Sequence, residues 1–378
     1  MIMKLPNIFK IFKQERYVGV DIGTSSIKIV ELSKIRDTFR LENYGEIKFS
    51  EKEAPMEVYE QSPLKMLDED VADLLKKIIA DTGVSAKQAA FSLPVFSSFS
   101  TIIELPPMPK EDMEKAIQFE ARQYVPIPIS EVSIDSLVIG EEKKKHDEQK
   151  NSSSKEEIQQ AQQQKLKKKH LEVLLVAVPN EIKKKYQHIA ELAELVLVAL
   201  EMETFPMARA LLKGSRGISI VVDIGARSTD ICIVDEGVVR ISHNLEFSGV
   251  DITKAYSAFT GANFVEAEVK KKVIGLNLTP GQLSEAKELT GVVDGIIGET
   301  ERIIHSYFNK TGRQVQQVVL AGGVSRMPGF LERFHEHLSL PIVIGNPFEG
   351  LIYPQELTKT LNDIGPTFAV AVGLAMRR

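Results

Sequence analysis

Two segments of the chain place an aspartate, a glycine and small polar residues in the same order. One reads Asp-Ile-Gly-Thr-Ser-Ser from Asp21, and the other reads Asp-Ile-Gly-Ala-Arg-Ser-Thr from Asp223. Glycine lets the backbone N–H groups of a tight turn point inward, and such a group of donors binds an anion. A carboxylate is repelled by phosphate, but it can hold Mg²⁺ through the water shell of the ion. Each segment is therefore a candidate phosphate-binding turn beside a candidate metal-binding aspartate.

Side chains around each glycine add further donors. Thr24 and Ser25 supply hydroxyl groups, and Lys28 can reach a phosphate as a point charge. The residues of the first candidate turn are Asp21, Gly23, Thr24, Ser25 and Lys28. Those of the second candidate turn are Asp223, Gly225, Ala226, Ser228 and Thr229. Two facing turns of this kind can hold a triphosphate between them, with the metal ion at the two aspartates.

The residues after each turn predict a second β-strand rather than a helix. Tyr17–Leu32 alternates on both sides of its turn, and Ser219–His243 repeats the pattern. A P-loop or a dinucleotide-binding turn would begin a helix here, so the pattern argues against both. A polar turn and a third alternating stretch follow in each copy. The repeat predicts two similar lobes, each beginning with a β-meander.

A third segment, Val318–Phe330, ends a predicted strand on two adjacent glycines. Gly322 and Gly323 are followed by Ser325 and then by a predicted helix. Paired glycines let a flat base approach the backbone closely. This loop is therefore a candidate site for adenine.

Length and composition limit the class of protein. At 378 residues the chain is longer than one hydrophobic core usually serves, so two or more domains are expected. A hydrophobic content of 43% and a charged content of 26% are typical of a soluble globular protein. The net charge of -5 argues against a nucleic-acid partner. The single cysteine, Cys232, excludes an internal disulfide and fits a reducing compartment.

Two segments differ in composition from the rest. Residues 1–16 interleave Leu, Ile and Phe with Lys and Arg, which indicates a basic amphipathic segment that lies on a membrane or packs on protein. Residues 141–170 consist mainly of Lys, Glu, Gln and Ser, which predicts a disordered insertion in a hairpin. No run approaches the ~18–20 apolar residues that a membrane span requires. The remaining pattern mixes strands and helices, with residues 251–313 mostly helical, and predicts an α/β protein.

In order and spacing, the two turns and the segment "LAGGVSRMPG" resemble the nucleotide motifs of the actin-like ATPase superfamily. This superfamily includes Hsp70, the sugar kinases and FtsA. Within it, the chain is most similar to the PilM family of type IV pilus assembly proteins. The segments that carry this second resemblance are "IELPPMPKEDMEKAIQFEARQYVPIPISEVSIDS", "LLVAVPNEIKKKY", "EMETFPMARAL", "FSGVDITKAY" and "FVEAEVKKK".

The resemblance implies a two-lobed actin-like fold, related to that of ribonuclease H, with subdomains 1A, 1C, 2A and 2B. The implied boundaries are 17–98 with 178–205 for 1A, 99–177 for 1C, 206–250 with 314–378 for 2A, and 251–313 for 2B. ATP and Mg²⁺ are the implied cofactors. The implied partners are the N-terminal cytoplasmic tail of a PilN-like inner-membrane protein, in a groove between 1A and 1C, other pilus assembly proteins and a second copy of the chain. Such a protein is cytoplasmic and is recruited to the inner face of the membrane.

The same resemblance assigns further roles. The residues that match the nucleotide site of the family are Asp21, Gly23, Thr24, Ser25, Lys28, Asp223, Gly225, Thr229, Gly322, Gly323 and Ser325. Glu268 and Lys271 fall where the superfamily places a pair near the ribose and base, but their spacing also fits a surface ion pair at i and i+3. Glu203 is the candidate for orienting the water that attacks ATP. Arg227 replaces a glycine common in the second turn, and it either neutralises charge or crowds the site.

Two other functions stay open at this stage. A division protein related to FtsA would carry a membrane helix behind a linker, whereas this sequence ends at Arg378 directly after a predicted helix. A sugar or small-molecule kinase needs a general-base aspartate, and the pair Asn362-Asp363 fits a helix cap more simply. ATP binding is better supported than hydrolysis, because the strand that carries a water-positioning Gln in actin reads "LLVAV" here.

Overall fold

The structure is a computed structural model. It describes residues 15–49, 63–143 and 169–377. The predicted amphipathic segment at the N-terminus and most of the predicted insertion at 141–170 therefore lie outside the described residues. Within the described ranges, no helix is both long and apolar enough to cross a membrane.

Strands and helices alternate along the chain as in an α/β protein. The strands are β1 Arg16–Ile22, β2 Ser26–Ile35, β3 Thr38–Lys48, β4 Gln88–Leu93, β5 Phe99–Leu105, β6 Val132–Lys143, β7 Lys169–Pro179, β8 Val196–Met202, β9 Ile218–Ile224, β10 Thr229–Asp235, β11 Val238–Leu245, β12 Gln317–Ala321 and β13 Ile342–Ile344. The helices are α1 Asp68–Thr82, α2 Lys110–Tyr124, α3 Asn180–Leu192, α4 Thr204–Leu211, α5 Gly249–Thr260, α6 Phe264–Val273, α7 Pro280–Glu285, α8 Lys287–Thr311, α9 Phe330–His337, α10 Thr358–Ile364 and α11 Ala369–Ala375.

The chain divides into two compact units. Met1–Val95 and Tyr186–Arg378 form the large unit, and Phe96–Lys185 forms the small unit. This division does not separate the four subdomains implied by the resemblance, so their boundaries stay a prediction.

The large unit contains two five-stranded sheets of the same topology. Their strand orders are β3-β2-β1-β4-β8 and β11-β10-β9-β12-β13. In each sheet three antiparallel strands form a meander, and two further strands run parallel to its first strand. The sequence repeat is therefore a repeat of structure, as predicted. Each aspartate–glycine turn directly follows β1 or β9. It therefore lies at the edge of the sheet where the parallel strands end.

One apolar core joins the two sheets of the large unit. It includes Ala90 of β4, the buried Cys232 of β10 and Leu374 of α11. The close approach of α11 to β1 requires Gly19, because a Cβ there would lie 2.0 Å from the carbonyl oxygen of Ala371. This packing fixes the position of β1, and so of the turn that follows it.

The small unit consists of a three-stranded antiparallel sheet and α2. The strand order is β5-β7-β6, and the pairing of β6 with β7 confirms the predicted hairpin. Ile117 and Ala121 of α2 are buried with Val173 and Leu175 of β7. The helix therefore covers one face of the sheet.

Candidate functional site

The first aspartate–glycine turn joins β1 to β2. The N–H group of Gly23 donates a hydrogen bond to the carbonyl oxygen of Ser26 at 3.0 Å, which closes the turn. Thr24 and Ser25 lie at its tip and are half-buried. The predicted strand–turn–strand unit is confirmed.

Asp21 and Lys28 lie opposite each other on β1 and β2, next to this turn. Asp21 is buried, and its Oδ1 atom accepts a hydrogen bond from the Ser92 hydroxyl at 2.8 Å. Lys28 Nζ lies 4.0 Å from Asp21 Oδ2 and 3.7 Å from Glu46 Oε1, and it donates to Ser26 Oγ at 2.8 Å. The positive charge of Lys28 is therefore shared between two carboxylates.

The second turn, between β9 and β10, has the same geometry. The Gly225 N–H group donates to the Ser228 carbonyl oxygen at 2.9 Å. The N-terminus of α5 holds this turn, because the N–H groups of Gly249 and Val250 donate to the carbonyl oxygens of Gly225 and Ala226, both at 2.9 Å. The turn is thus fixed from outside as well as by its own hydrogen bond.

Two side chains of the second turn have different surroundings. Thr229 is fully buried, and its hydroxyl donates to the Phe247 carbonyl oxygen at 2.7 Å. Arg227 lies at the tip and is exposed. The Thr229 hydroxyl therefore supports the turn in this structure, and its predicted contact with phosphate stays a prediction.

The glycine bend after β12 lies against the second turn. Ala321 is opposite Asp223 in the parallel pair of β12 and β9. Gly322 has a φ of +79°, and a Cβ there would lie 2.3 Å from the Ile224 carbonyl oxygen and 2.4 Å from Asp223 Oδ1. Only glycine fits this backbone conformation and this close approach. Two of the predicted motifs are therefore in direct contact.

The remainder of the bend has an internal hydrogen bond and an exposed glycine. The Ser325 hydroxyl is buried and donates to the Gly322 carbonyl oxygen at 2.7 Å. Gly323 is exposed, and the nearest atom to a Cβ placed there is a methyl carbon of Thr367 at 3.9 Å. A flat group has room to approach the backbone at this glycine.

Glu268 and Lys271 of α6 form an ion pair at i and i+3, but it is not a surface pair. Lys271 is 6% exposed, and its Nζ atom donates to the carbonyl oxygen of Gly249 at 3.0 Å and to Thr253 Oγ1 at 2.8 Å. Burial lowers the pKa of Lys271, and the Glu268 carboxylate partly offsets this effect. The pair anchors the N-terminus of α5, which holds the second turn, and its predicted contact with the ribose or base stays a prediction.

Four carboxylates of the large unit act on one another electrostatically. Burial and the charges of Asp230, Asp21 and Asp223 raise the pKa of Glu203 well above its ordinary value. Burial and the charges of Asp230 and Asp21 raise the pKa of Asp223 to about 7. Burial also raises the pKa of Asp21 and raises that of Asp230 to about 6. The structure therefore brings together one aspartate from the first sheet, two from the second and the predicted catalytic glutamate.

Asp230 is the member of this cluster that sequence reasoning missed. It is 6% exposed, and its Oδ1 atom accepts a hydrogen bond from Asn244 at 2.7 Å. The Glu203 carboxyl, whose raised pKa favours the protonated form, donates a second hydrogen bond to it. The internal repeat contained the signal, because alignment of its two copies places Asp230 at the position of Lys28.

The four carboxylates, two buried and two half-buried, fit a hydrated divalent cation. Added positive charge would relieve the repulsion that raises their pKa values. Within the part of the chain that the structure describes, no three His, Cys, Asp or Glu side chains are arranged to ligate a metal ion directly. Mg²⁺ in nucleotide sites keeps several waters and takes one or two carboxylates together with phosphate oxygens. The donor set therefore suits Mg²⁺ that arrives with a phosphate ligand.

The raised pKa values predict how stability depends on pH. Asp223 and Asp230 have an ordinary pKa of 3.8, and in the folded chain these values are about 7 and about 6. The folded state therefore retains these protons when the unfolded state has lost them, and the free energy of unfolding falls as pH rises from about 4 to about 7. Each unit of pKa shift corresponds to about 1.4 kcal/mol. Thermal unfolding of the ligand-free chain across this range measures the slope.

The control for this prediction is Asp223→Asn, which removes one of the two groups. Its unfolding midpoint should change less with pH than that of the wild-type chain. Equal pH slopes in the two proteins would contradict the assignment of the repulsion to Asp223.

A family model described as "Type IV pilus assembly protein PilM" matches residues 19–378. The chain belongs to this family. A chain in a solved structure described as the PilM-PilN type IV pilus biogenesis complex is 22% identical, with a TM-score of 0.74 over 96% of this chain and 98% of that one. This similarity confirms the predicted actin-like α/β fold of the PilM-family chain.

Two other proteins are more distantly similar to this chain. The ethanolamine utilization protein EutJ of Carboxydothermus hydrogenoformans is 18% identical over 98% of this chain and 93% of that one, with a TM-score of 0.47. The cell division protein FtsA of Pseudomonas aeruginosa is 27% identical in an alignment of 180 positions that covers 41% of this chain and 41% of that one. The match to FtsA therefore spans less than half of that relative.

Proposed function

We propose that this PilM-family chain is an ATP-binding scaffold of a type IV pilus assembly complex at the inner membrane. Family membership supports the role in assembly. The observation that supports nucleotide binding is that the two turns and the glycine bend, all in the large unit, interact with one another. The charges of Asp21 and Asp223, one beside each turn, act on each other, and Gly322 lies against Asp223.

In this proposal the phosphate chain of ATP lies between the two turns. Backbone N–H groups beside Gly23 and Gly225 donate to phosphate oxygens, and the hydroxyls of Thr24 and Ser25 add donors at the tip of the first turn. Lys28 contributes a positive charge next to this turn. The first turn is the better supplied with hydroxyl donors, because Ala226 and Arg227 replace its hydroxyl residues in the second.

The metal ion and the base are held by different groups in the proposed site. Asp21 and Asp223 would hold Mg²⁺ through its waters, and the ion would offset negative charge on the phosphates. The adenine would lie on the open backbone at Gly323, where a flat group has room. Gly322 and Ser325 hold this bend in place.

Glu203 is the proposed group for orienting water, but binding is better supported than turnover. Its raised pKa favours the protonated form, which donates to Asp230. A protonated carboxyl cannot serve as a base toward water. Any hydrolysis therefore depends on ionisation of Glu203, and we expect it to be slow.

The proposed protein partner is the N-terminal cytoplasmic tail of a PilN-like membrane protein. The similar chain in the solved complex was determined together with PilN. In this chain the small unit offers an apolar surface, because Ile102, Leu174 and Leu137 lie in register across β5, β7 and β6. They point to the face of the sheet opposite α2, and Leu137 is 62% exposed. Capture of this tail would recruit the chain to the inner face of the membrane.

Leu137→Asp is expected to weaken binding of this tail about tenfold, because a charge would replace an apolar contact worth about 1–2 kcal/mol. The measurement is fluorescence anisotropy with a labelled synthetic peptide of the tail. Leu67→Asp is the matched control, since Leu67 is a leucine of the large unit with 65% exposure. Equal affinity of the Leu137→Asp chain and the wild type would rule out this surface.

The alternative functions gain no support from the described residues. Asn362 and Asp363 lie inside α10 near its end rather than capping its start, and Asp363 pairs with Arg326 at 2.9 Å. These contacts give the pair a structural role, so it is a poor candidate for the general base of a kinase. The similarity to FtsA is confined to 41% of the chain.

A further inference from the structure

Tyr186 of α3 has a buried hydroxyl that the fold does not use. Its side chain is 1% exposed, and its ring packs edge-on against Phe91 with 6.2 Å between ring centroids. The hydroxyl oxygen has no hydrogen-bond partner among the described residues. Buried tyrosine hydroxyls usually have such a partner. The Tyr186 hydroxyl is an exception that needs an explanation.

The surroundings of Tyr186 connect it to the candidate site. Phe91, which holds its ring, precedes Ser92, the residue that donates to Asp21. Burial raises the pKa of Tyr186, and the charges of Glu203 and Asp21 raise it further. The hydroxyl therefore keeps its proton across the physiological range, so it is a donor next to the acidic cluster.

A donor at this position complements the site chemically. The segment "LLVAV" shortly before α3 contains no polar side chain for a water. The cluster itself consists of carboxylates, which when ionised accept hydrogen bonds but cannot donate them. An oxygen bound among them needs a donor, and the Tyr186 O–H group supplies one from α3.

We infer that Tyr186 is a positioning residue of the nucleotide site, whose hydroxyl donates to an oxygen that enters with Mg·ATP, either of the phosphate chain or of a water bound beside it. This inference rests on the proposed nucleotide function. The unpaired hydroxyl of the ligand-free chain is then a prearranged donor that gains its partner on binding. Because Phe91 fixes the ring, this donor is in place before the ligand arrives.

Tyr186→Phe tests the inference, because it keeps the ring and removes only the hydroxyl. In the ligand-free chain the unfolding midpoint should stay the same or rise by about 2–4 °C, since an unpaired buried group is lost. The affinity for Mg·ATP, measured by isothermal titration calorimetry, should fall about tenfold, as for a hydrogen bond to a charged oxygen. The two readouts are expected to move independently.

Tyr307→Phe is the matched control. The Tyr307 hydroxyl donates to Asp235 at 2.6 Å, and Asp235 lies at the opposite end of β10 from Asp230. Its removal should lower the unfolding midpoint of the ligand-free chain and leave the affinity for Mg·ATP unchanged.

Three outcomes separate the possibilities. Weaker Mg·ATP binding by Tyr186→Phe, with an unchanged or higher unfolding midpoint, supports the inference. Binding equal to that of the wild type overturns it, whether or not the midpoint changes. Absence of binding by the wild-type chain refutes the proposed nucleotide function itself, and the inference falls with it.

Discussion

Gly322→Ala is expected to lower the affinity for Mg·ATP roughly 100-fold, since displacement of a binding group by about 1 Å can have an effect of this size. The new Cβ would lie 2.3 Å from the Ile224 carbonyl oxygen and 2.4 Å from Asp223 Oδ1, at a φ of +79°. The backbone oxygen cannot yield freely, so β9 or the bend must shift. The shift moves Asp223 and the proposed adenine surface together. Calorimetric titration of Mg·ATP into the folded variant measures the loss.

The matched control is Gly312→Ala, which separates backbone strain from the clash. Gly312 has a φ of +68°, and no atom lies within 4 Å of a Cβ built there. This substitution should cost about 1 kcal/mol of stability from the left-handed backbone conformation without any change in affinity. If both variants bind Mg·ATP as the wild type does, the glycine bend is not part of the site.

Asp223→Asn is expected to stabilise the ligand-free chain and to weaken Mg·ATP binding. Burial and the charges of Asp230 and Asp21 raise the pKa of Asp223 to about 7, so its ionised form is disfavoured in the folded state. A neutral amide of the same shape removes this repulsion, and we expect a gain of about 1–3 kcal/mol near pH 7.5. The same change removes a proposed partner of Mg²⁺, and a loss of about 10–100-fold in affinity should follow. Thermal unfolding and calorimetry measure the two effects.

Asp235→Asn is a control in the same sheet, for which the opposite effect on stability is expected. Asp235 is buried, and Tyr307 and Arg313 both donate to it. Its replacement should destabilise the chain by about 1–3 kcal/mol, because bonds to a charged group are lost, and should leave Mg·ATP affinity unchanged. If Asp223→Asn destabilises the chain, the repulsion in the carboxylate cluster costs less free energy than the lost hydrogen bonds contribute. That result would contradict the electrostatic account of the site.

Local pattern was enough to predict the backbone of the candidate site within each segment. The alternation around Asp21 and Asp223 predicted strands on both sides of each turn, and the repeated order predicted two meanders. Gly322 was predicted from the two adjacent glycines at a strand end. In each case the backbone conformation depends on a few neighbouring residues, so the sequence contains the signal.

Contacts between distant segments could not be predicted in the same way. β8 was not predicted as a strand, because its short apolar run follows a helix pattern without a turn signal, and its pairing with β4 is a long-range contact. The hydrogen bond between Glu203 and Asp230 also depends on how the two sheets pack. The unpaired hydroxyl of Tyr186 is a property of the folded chain that no local pattern reports.

The spacing of Glu268 and Lys271 fitted either a pair near the ribose and base or a surface ion pair. The burial of Lys271 excludes the surface pair. A pair at i and i+3 is usually exposed, and nothing in the sequence of α6 marks Lys271 as buried. Its contact with the Gly249 carbonyl oxygen becomes visible only when α5 and α6 are packed. The pair supports the second turn through α5, whether or not it also contacts a nucleotide.

Isothermal titration calorimetry of the wild-type chain with ATP, in the presence and absence of Mg²⁺, tests the central proposal most directly. Saturable binding of one nucleotide per chain that depends on Mg²⁺ is the result we predict, since the carboxylate cluster repels the phosphates unless a cation is present. No detectable binding with Mg²⁺, or equal binding with and without it, would contradict the assignment of the two turns and the glycine bend to a magnesium–nucleotide site.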